Sequence, residues 1–575
     1  MEVLPSWRRE ASTSAILDVA LECVFKHLED PMDRKAVSQV CHQWHRIDGI
    51  TRKHVEIPFC YSVLPSALSR RFTYLDSVKL KGKPRAHEFD FLPENWGGYA
   101  KPWVNEIVQA YPAMSKLHFK RMEVTDEDLK NLAHRLGNSL EVLKLDKCSG
   151  FSTLGILEIT HYCRHIKVIY LEESHIEDKG GNWLHELAQH NLELEVLNFA
   201  MTGLEIREDN IGALEMLAKN CKRLSCLKVG EVDANRIRKV LSKTTVLQEF
   251  AMLNSIGDNN FDQNNSPEGR DAVFDLPRTL NSLSGDILLP MSPALASNIK
   301  KLDLKPTLLS AEGHLELLRC CINLEVLEVR NIIGDAGLAL LANTCKKLQR
   351  LRIELADRED PGIVAHDSLV SLAQNCVYLK FLALHVSDIT NAALTAFGQF
   401  CPLLVDFRLV LVDSHETVSE LPLDDGILAV MKGCESLTRI CVYLRHGGLT
   451  DAGLAYIGKH GGNLKWALLG CVGVSDQGLQ HFALGCQKLE KLEMRDCPFS
   501  EAALSAAVLT MKSLKFIWVE YCNATETGTG FTAMRRPFWN MEYYQGEYSN
   551  QLLAYCSLGG VRNDRPAEII SLGPT

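Results

Sequence analysis

Apolar residues recur along most of the chain with a fixed local spacing, in which one apolar residue is followed by two more at the third and fifth positions after it. Copies of this pattern begin at Leu140, Ile166, Leu194, Leu224, Leu247, Leu280, Ile299, Leu324, Leu348, Leu379, Leu404, Leu437, Leu464, Leu489 and Leu514, with weaker copies at Leu75 and Met114. Between the copies, as in residues 335–343 and 451–458, apolar residues recur at helical spacing. The pattern predicts one short strand and one amphipathic helix in every copy.

The mean step between copies is about 27 residues, which is typical of leucine-rich repeats. A second signal has the same period, because a cysteine stands three residues before the opening apolar residue of eight copies. These are Cys163, Cys221, Cys321, Cys345, Cys376, Cys401, Cys434 and Cys486. Metal ligands would have to cluster around one point, so we interpret these cysteines as packing residues at the helix-to-strand turn. The predicted fold class is α/β, a leucine-rich-repeat solenoid shaped as a horseshoe of about 17–18 repeats.

Side-chain direction follows from the alternation along each strand. The fourth and sixth residues of a repeat should face the core, and the third, fifth and seventh should face the concave surface. Four steps, beginning at 75, 247, 348 and 404, are longer than the others, and extra residues in a solenoid form loops on one face. The first long loop, residues 81–103, is rich in aromatic residues, so we expect it to fold back onto the protein.

The N-terminal residues lack the repeat. Residues 14–47 show short helical runs with a break at Asp30-Pro31, and three short helices cannot bury a full core alone. The pattern resembles an F-box, in which Asp-Pro precedes a helix that carries a Val-Cys-x-x-Trp turn, here residues 40–44. A helical cap on the solenoid is the alternative. We expect F-box helices over 1–55, the solenoid over 56–540, and a C-terminal cap and tail over 541–575.

Composition narrows the possible environments and partners. The chain is 46% hydrophobic, no apolar stretch approaches a membrane span, and the N-terminus has no apolar signal region. We therefore expect a nuclear or cytoplasmic protein with reduced cysteines and no membrane partner. With 62 Lys+Arg against 72 Asp+Glu the formal charge is −10, which argues against a nucleic-acid partner.

Cations and aromatic residues nevertheless concentrate at the third, fifth and seventh positions. These positions hold Lys79, Lys81, Lys116, His118, Lys120, Arg330, Arg350, Arg352, His385, Arg408, Arg439, Tyr443, Trp466, Lys491, Arg495 and Trp518. A horseshoe brings its ends towards one another, so we expect these groups to converge around a bound polyanion. Acids such as Glu328, Glu354, Asp406 and Glu493 could pair with individual cations, but for the whole set we expect unpaired positive charge. Arginines beside aromatic side chains are also typical of a small-molecule pocket.

Catalytic motifs are not found in the sequence. His185 and His190 resemble a zinc-binding helical pair, but a spacing of five residues turns about 500° around a helix instead of the 400° that puts two ligands on one face. There is no phosphate-binding glycine loop, no nucleophile elbow and no Cys-x-x-Cys pair. We predict no catalytic residue and no metal site, and hence a protein that is not an enzyme.

Taken together, the F-box pattern, the cysteine-containing repeats and the cationic-aromatic surface resemble the coronatine-insensitive (jasmonate receptor) family of plant F-box leucine-rich-repeat proteins. The resemblance is carried by residues 80–86, 93–98, 143–150, 183–190, 386–390, 406–410 and 443–445. It implies a substrate-recognition subunit of an SCF-type ubiquitin ligase, located in the nucleus, whose F-box binds a Skp-type adaptor. The solenoid would bind jasmonoyl-isoleucine or a close relative above an inositol pentakis- or hexakisphosphate, and would capture JAZ-type repressors for ubiquitination and degradation.

The resemblance also implies three groups of site residues. The hormone would contact Arg85, Ala86, Phe89, Arg352, His385, Arg408, Tyr443 and Trp518. The repressor peptide would contact Phe89, Phe91, Trp466, Leu468 and Arg495. The polyphosphate would contact His118, Arg121, Arg350, Arg408, Arg439, Lys491 and Lys515. His385 departs from the family, which usually has tyrosine there, so the preferred hormone variant is open. An auxin-type F-box receptor and a repeat scaffold without a ligase role remain as alternatives.

Overall fold

Three short helices form at the N-terminus of the computed structural model, on either side of the break at Asp30-Pro31. They are α1 over residues 17–26, α2 over Pro31–Val37 and α3 over His42–Thr51. The Asp30 carboxylate caps α2 by accepting from the backbone N–H of Met32 at 2.5 Å, and Pro31 takes the first helical position, where a missing N–H costs nothing. Phe25 packs edge-on against Trp44 with ring centroids 5.4 Å apart, which joins α1 to α3.

The structure describes residues 17–89, 91–93, 95–206, 208–232, 234–253, 276–285, 291–307, 310–354, 366–411, 420–521, 529–546 and 550–572. Within the chain, two compact units are distinguished. The first comprises Met1–Leu204 with Glu208–Arg223, and the second comprises Glu205–Arg207 with Leu224–Thr575. All four predicted long loops include residues outside the described ranges, at 90 and 94 in the first loop and at 254–275, 355–365 and 412–419 in the others.

The first unit alternates strands and helices after α3. Its strands are β1 (His54–Ile57), β2 (Ser77–Lys81), β3 (Lys116–Lys120), β4 (Val142–Asp146), β5 (Phe151–Ser152), β6 (Val168–Tyr170), β7 (Ile176–Glu177) and β8 (Val196–Asn198). Its further helices are α4 (Ser66–Arg71), α5 (Lys101–Ala110), α6 (Asp126–Leu136), α7 (Thr153–Tyr162), α8 (Trp183–His190) and α9 (Glu208–Asn220), and a 3₁₀ helix spans Arg85–Phe89.

The same alternation continues in the second unit. Its strands are β9 (Cys226–Glu231), β10 (Glu249–Leu253), β11 (Ser282–Gly285), β12 (Lys301–Asp303), β13 (Val326–Arg330), β14 (Arg350–Glu354), β15 (Phe381–Val386), β16 (Asp406–Leu411), β17 (Arg439–Tyr443), β18 (Trp466–Gly470), β19 (Lys491–Arg495), β20 (Phe516–Glu520), β21 (Trp539–Gln545), β22 (Asn550–Cys556) and β23 (Ile569–Ser571). Its helices are α10 (Ala234–Leu241), α11 (Pro293–Ala296), α12 (Ala311–Cys320), α13 (Gly334–Thr344), α14 (His366–Asn375), α15 (Asn391–Phe400), α16 (Asp424–Gly433), α17 (Asp451–His460), α18 (Asp476–Gly485) and α19 (Glu501–Thr510), with 3₁₀ helices at Asn331–Ile333 and Thr529–Met534.

Each unit stacks its strands in parallel. In the first unit β1, β2, β3, β4, β6 and β8 pair in that order, and in the second unit β9 to β20 pair in sequence order. After β20 the direction changes, because β22 pairs antiparallel with β20, and β21 pairs antiparallel with β22 and β23. This hairpin covers the last edge of the array. The predicted α/β repeat fold is confirmed, whereas β1 was not expected from the apolar pattern.

The cysteines of the repeats form a buried series at the helix ends. Cys376, Cys401 and Cys434 are each fully or almost fully buried, and each thiol lies 3.4–3.9 Å from the backbone carbonyl oxygen of the equivalent cysteine in the preceding repeat. Burial raises the pKa of the Cys401 thiol to about 12, so the thiol stays protonated and unreactive. The packing role predicted for these cysteines is confirmed.

Neighbouring helices are linked by a second repeated contact at their N-termini. The Asp451 carboxylate at the start of α17 accepts from the Ser475 hydroxyl at 2.6 Å and from the Val474 and Ser475 backbone N–H at 2.9 and 3.1 Å. Asp476 makes the equivalent contacts with Ser500. Close packing makes glycine necessary at 478, where a Cβ would lie 2.4 Å from the Asp451 carboxylate. The aspartate of one repeat therefore fixes the cap of the next.

Replacing Asp451 with alanine should destabilise the protein by about 1–2 kcal/mol, because the cap of α18 loses its acceptor. Although burial opposes the shift, the Ser475 hydroxyl and the two N–H groups lower the pKa of Asp451. The stabilisation is therefore present above the unfolded-state pKa near 4 and is lost as the pH falls through the folded-state value. Urea unfolding of wild type and Asp451→Ala at pH 7 and pH 3 checks this, since equal differences at both pH values would contradict it.

Candidate functional site

The strands of the second unit present two different faces, as the alternation predicts. In β14 the fourth- and sixth-position residues Leu351 and Ile353 are fully buried, whereas Arg350, Arg352 and Glu354 are half-buried. The parallel register places equivalent positions of successive strands side by side. Charged and aromatic side chains of different repeats are therefore aligned in rows across the strands.

The third positions form a row of three cations, three aromatic rings and one acid, in which each cation is followed by a ring on the next strand. We call it the cation–ring row, and it consists of Arg350, Phe381, Asp406, Arg439, Trp466, Lys491 and Phe516. The Arg350 guanidinium lies 3.6 Å from the Phe381 ring centroid, Arg439 lies 5.0 Å from Trp466, and Lys491 lies 4.7 Å from Phe516. The ring on the next strand holds each cation in place, so the three positive charges lie on one strand face in a single row.

Acidic partners accompany these cations, so the expectation of unpaired positive charge is wrong. Asp406 accepts two hydrogen bonds of 2.9 Å from Arg408 and also lies 3.3 Å from Arg439. The remaining pairs are Arg350 with Glu328 at 3.1 Å, Lys491 with Glu493 at 2.8 Å, and Arg352 with Glu354. The reason is the register, which places acids of the third, fifth and seventh positions within reach of the cations beside them.

The buried carboxylate of Glu493 on β19 is held in its ionised form. Glu493 is 4% exposed, and it accepts from the Trp466 indole N–H at 3.0 Å. Burial raises its pKa, but Lys491, Trp466 and Arg495 together lower it below the ordinary value. Trp466 is consequently fixed by its own hydrogen bond and is only 7% exposed.

At the fifth positions, two arginines stand on either side of an alanine. Arg352 and Arg408 stand on β14 and β16, with Ala383 of β15 as the register partner of both. Strands in a sheet are about 4.8 Å apart, so the two backbones are separated by roughly 10 Å with only a methyl group between them. The buried Nε of Arg352 has no hydrogen-bond partner among the described residues. Two guanidinium groups with this spacing could hold a carboxylate between them.

The other second-unit residues predicted for the hormone and the repressor peptide stand at fifth and seventh positions of the later strands. His385, Val410 and Tyr443 are register partners, and the Tyr443 hydroxyl donates to Asp496 at 2.7 Å. Burial and Asp496 raise the pKa of Tyr443, which therefore stays a hydrogen-bond donor. Leu468 is half-buried, Arg495 lies 3.6 Å from Glu520, and Trp518 is only 2% exposed.

Lys515 is placed differently from the other predicted polyphosphate contacts. It lies one residue before β20, outside the cation–ring row, and its ammonium is 2.5 Å from Glu490. That pair is solvent-accessible, with the Lys515 side chain 46% exposed.

Site residues predicted in the first unit lie on and beside the first long loop. Arg85 and Ala86 belong to the 3₁₀ helix, and Ala86 is buried. Trp96 later in the loop is 1% exposed, which confirms that the loop folds back, and Phe91 is half-buried. The side chain of Phe89 lies outside the described residues.

The cations on β3 and directly after it have acidic partners as well. His118 lies 3.6 Å from Asp146, which also pairs with Lys120, and Arg121 lies 3.2 Å from Glu88. Burial raises the pKa of Asp146, but His118 and Lys120 lower it to about 2. Sequence reasoning missed the two acids. For Glu88 a signal was available, because it stands inside the cationic loop itself.

The N-terminal helices carry an apolar surface in addition to their small core. Phe25 and Ile47 are buried, whereas five large apolar side chains are between 50% and 61% exposed. These are Leu17, Val19, Val24, Met32 and Val40, which we call the N-terminal apolar surface. Apolar side chains exposed at this density are typical of a protein-binding surface.

No group of three or more His, Cys, Asp or Glu side chains in the described part of the chain is arranged to hold a metal ion. No helix in the described ranges combines the length and the apolar character needed to cross a membrane.

Comparisons with known proteins agree with this architecture. The F-box family profile matches residues 13–54, and the Transport inhibitor response 1 protein domain profile matches residues 73–119. Coronatine-insensitive protein 1 of Arabidopsis thaliana is 45% identical over 586 residues, which cover 98% of each chain. Coronatine-insensitive protein homologs 1a and 2 of Oryza sativa subsp. indica are 44% and 42% identical, over 97% and 98% of this chain and 96% and 98% of their own lengths.

An N-terminal F-box followed by stacked strand–helix units defines an F-box leucine-rich-repeat protein. Identity above 40% along nearly the whole length is far more than a shared fold requires. The chain belongs to the coronatine-insensitive family of these proteins.

Proposed function

We propose that the protein is the substrate-recognition subunit of an SCF-type ubiquitin ligase and acts as a jasmonate co-receptor. In this proposal a jasmonate-type hormone and the receptor jointly capture a JAZ-type repressor, which is then ubiquitinated and degraded. The observation that carries the proposal is the pair Arg352 and Arg408 with Ala383 between them, in a chain whose relatives are named for coronatine. The protein itself performs no chemistry in this function, and its place of action is the nucleus.

Adaptor binding is assigned to the N-terminal apolar surface. The F-box profile matches this segment, and its exposed side chains would be buried by a Skp-type adaptor. Burying five large apolar side chains is a substantial driving force, at roughly 25 cal/mol for each Å² removed from water. The same three helices have only a small core, which is consistent with a segment that is stabilised by its partner.

Hormone contacts are assigned by chemistry. Arg352 and Arg408, with Arg85, would bind the carboxylate, and the Tyr443 hydroxyl would donate to a ketone after leaving Asp496. Ala86 and Trp518 are assigned to the apolar remainder of the ligand, which would have to displace the groups that now bury them. Phe89, Phe91, Trp466, Leu468 and Arg495 are assigned to the repressor peptide.

An inositol pentakis- or hexakisphosphate is proposed as the cofactor of the cation–ring row. Arg350, Arg439 and Lys491 fit an anion of this kind, because a neighbouring ring holds each of them and the Arg352 Nε has no hydrogen-bond partner among the described residues. Since each cation of the row already has a carboxylate nearby, a polyphosphate would have to compete with those acids. His118, Arg121, Arg408 and Lys515 complete the proposed set.

An auxin-type receptor is the second candidate function. It is favoured by the match of residues 73–119 to the Transport inhibitor response 1 protein domain. That match includes the 3₁₀ helix, which holds Arg85 and Ala86 proposed for the ligand. Ligand choice therefore has to be decided by experiment.

A capture experiment tests the proposal. The full chain is co-expressed with a Skp-type adaptor and incubated with immobilised JAZ-type degron peptide in the presence of jasmonoyl-isoleucine, coronatine, indole-acetic acid or no ligand. We expect co-purification of the adaptor and capture with the first two ligands only. Capture with indole-acetic acid would favour the auxin-type function, and adaptor-free protein that binds the peptide without ligand would favour a scaffold. Native mass spectrometry of the same sample checks for a bound polyphosphate.

His385 should affect the choice of jasmonate. It shares a register row with Val410 and Tyr443, so it borders the residues proposed for the ligand ketone. Replacing His385 with tyrosine should strengthen the response to jasmonoyl-isoleucine by roughly two- to tenfold, because one neutral hydrogen bond is worth about 0.5–1.5 kcal/mol. Dose–response curves for wild type, His385→Tyr and His385→Ala measure the effect, and three superimposable curves with every jasmonate would leave the residue without a selective role.

A further inference from the structure

Two cations of the first unit lie side by side at the same edge of the strands. Arg121 directly follows β3 and Lys147 directly follows β4, and the residues before them, Lys120 and Asp146, are register partners. Both have left-handed backbone, with φ of 51° and 55°, so the chain turns in the same way at each. Parallel strands are about 4.8 Å apart, which brings two like charges close together and favours an anion between them.

The protein supplies that anion from the first long loop. One carboxylate oxygen of Glu88 lies 3.2 Å from the Arg121 guanidinium, and the other lies 3.0 Å from the Lys147 ammonium. All three side chains are between 15% and 23% exposed. Burial raises the pKa of Glu88, but Lys147, Arg121 and Arg85 lower it below the ordinary value, so the carboxylate is charged near neutral pH.

Glu88 is also the link between these cations and the 3₁₀ helix. It lies in the same Arg85–Phe89 helix as Arg85 and Ala86. The start of the loop is fixed separately, since the Arg121 Nε–H donates to the Lys83 carbonyl at 2.8 Å and the Lys83 N–H donates to the Arg121 carbonyl at 2.7 Å. Gly82 is packed so closely that a Cβ would lie 2.4 Å from the same Arg121 carbonyl. Glu88 thus provides the second attachment of a segment whose first attachment is at 82–83.

We propose that Glu88 is a positioning residue that takes the place of an external anion between Arg121 and Lys147 and thereby holds the 3₁₀ helix with Arg85 and Ala86 against the strand ends. Its consequence for ligand binding rests on the function proposed above. Because the Glu88 carboxylate pairs with the Arg121 guanidinium, a polyphosphate has one cation fewer to bind. The loop keeps its position without the polyphosphate, so repressor capture depends less on that cofactor.

The test compares Glu88→Gln with a matched control, Glu173→Gln. Glu173 lies 2.6 Å from Lys147 and is not part of the first long loop, so this control removes an acidic partner of the same lysine but no attachment of the 3₁₀ helix. Thermal unfolding first establishes that both variants fold. Backbone amide exchange of residues 83–89 is then measured without ligand, inositol hexakisphosphate binding is measured by calorimetry, and hormone-dependent capture is measured with and without that polyphosphate.

We expect Glu88→Gln to exchange faster at 83–89, to bind inositol hexakisphosphate roughly three- to tenfold more tightly, and to capture the repressor peptide only when the polyphosphate is added. Glu173→Gln should match wild type in exchange and capture. If Glu88→Gln does not fold, Lys147→Gln, which removes one of the two cations that pair with Glu88, should raise exchange at 83–89 above that of wild type, and unchanged exchange in this variant would overturn the proposal.

Unchanged exchange and polyphosphate affinity in Glu88→Gln would overturn the proposal, as would an equal response in Glu173→Gln. A general structural defect would lower polyphosphate binding instead of raising it. The exchange measurement needs no ligand, so it decides the positioning role even if wild-type protein captures no repressor, which would count against the proposed function alone.

Discussion

Replacing Asp48 with alanine is expected to lower the affinity for the adaptor by about 100-fold or more, while the repeats remain folded. Asp48 is fully buried, and its carboxylate lies 3.3 Å from Arg34, 2.9 Å from Arg52 and 3.2 Å from Arg71. These arginines come from α2, from the end of α3 and from α4, so one carboxylate joins three elements. Removing it would leave three largely buried guanidinium groups without their shared partner, at a cost of about 3–5 kcal/mol.

Such a loss is large for three helices whose own core is small. The N-terminal apolar surface would lose its arrangement, because α2 and α3 are held to each other through Asp48 and Arg34. Co-purification with a Skp-type adaptor and thermal unfolding of the full chain measure the two parts of the prediction. Asp76→Ala is the control, since Asp76 is half-exposed and pairs only loosely, at 3.5 Å, with Lys53. Full adaptor binding by Asp48→Ala would show that this cluster does not hold the segment together.

The second large effect is expected at Arg408, where alanine should reduce hormone-dependent repressor capture by about 100-fold. The guanidinium is held by two hydrogen bonds to Asp406 and lies 5.1 Å from the Phe381 ring and 5.3 Å from the Trp466 ring. It is therefore fixed before a ligand binds, and a carboxylate would gain charged hydrogen bonds of about 1.5–3 kcal/mol each. Loss of Arg408 removes these bonds and leaves Asp406 with Arg439 alone.

Two further variants separate charge from geometry in this test. Arg408→Lys keeps the charge but has no planar fork, so we expect it to recover only a small part of the capture. Lys465→Ala, at an exposed position immediately before β18, should behave as wild type. Repressor capture is measured for Arg408→Ala, Arg408→Lys and Lys465→Ala as the jasmonoyl-isoleucine concentration is raised. Full activity of Arg408→Lys would mean that Arg408 contributes only a general positive charge.

Much of the repeat architecture could be predicted from local spacing. The spacing of apolar residues predicted the strands and the core residues, such as Leu351 and Ile353. The fixed position of the cysteines in the repeat predicted the helix ends. The cations of the cation–ring row were also identified, because strand alternation assigns them a face. Strand β1 was not predicted, since its four residues do not carry the repeat pattern, and its pairing with β2 is a contact between distant segments.

The spacing of residues along the sequence did not predict the ion pairs. The same residues that suggested unpaired cations, Arg350 and Lys491 among them, have carboxylates beside them from neighbouring strands. Spacing along the chain shows which face a side chain takes, but it does not show how the side chains of two strands share that face. The contact of Glu88 with Lys147 crosses 59 residues and depends on how the loop folds back.

By itself, the sequence determined the repeat unit, the direction of each side chain and the family, because these depend on short-range periodicity and on matched segments of chain. Tertiary structure alone decided the partners of the charges, the contact of each cation with a ring on the next strand, and the attachment of the 3₁₀ helix through Glu88. Those features depend on the register between parallel strands, and register is fixed only when the apolar faces of all the repeats pack together.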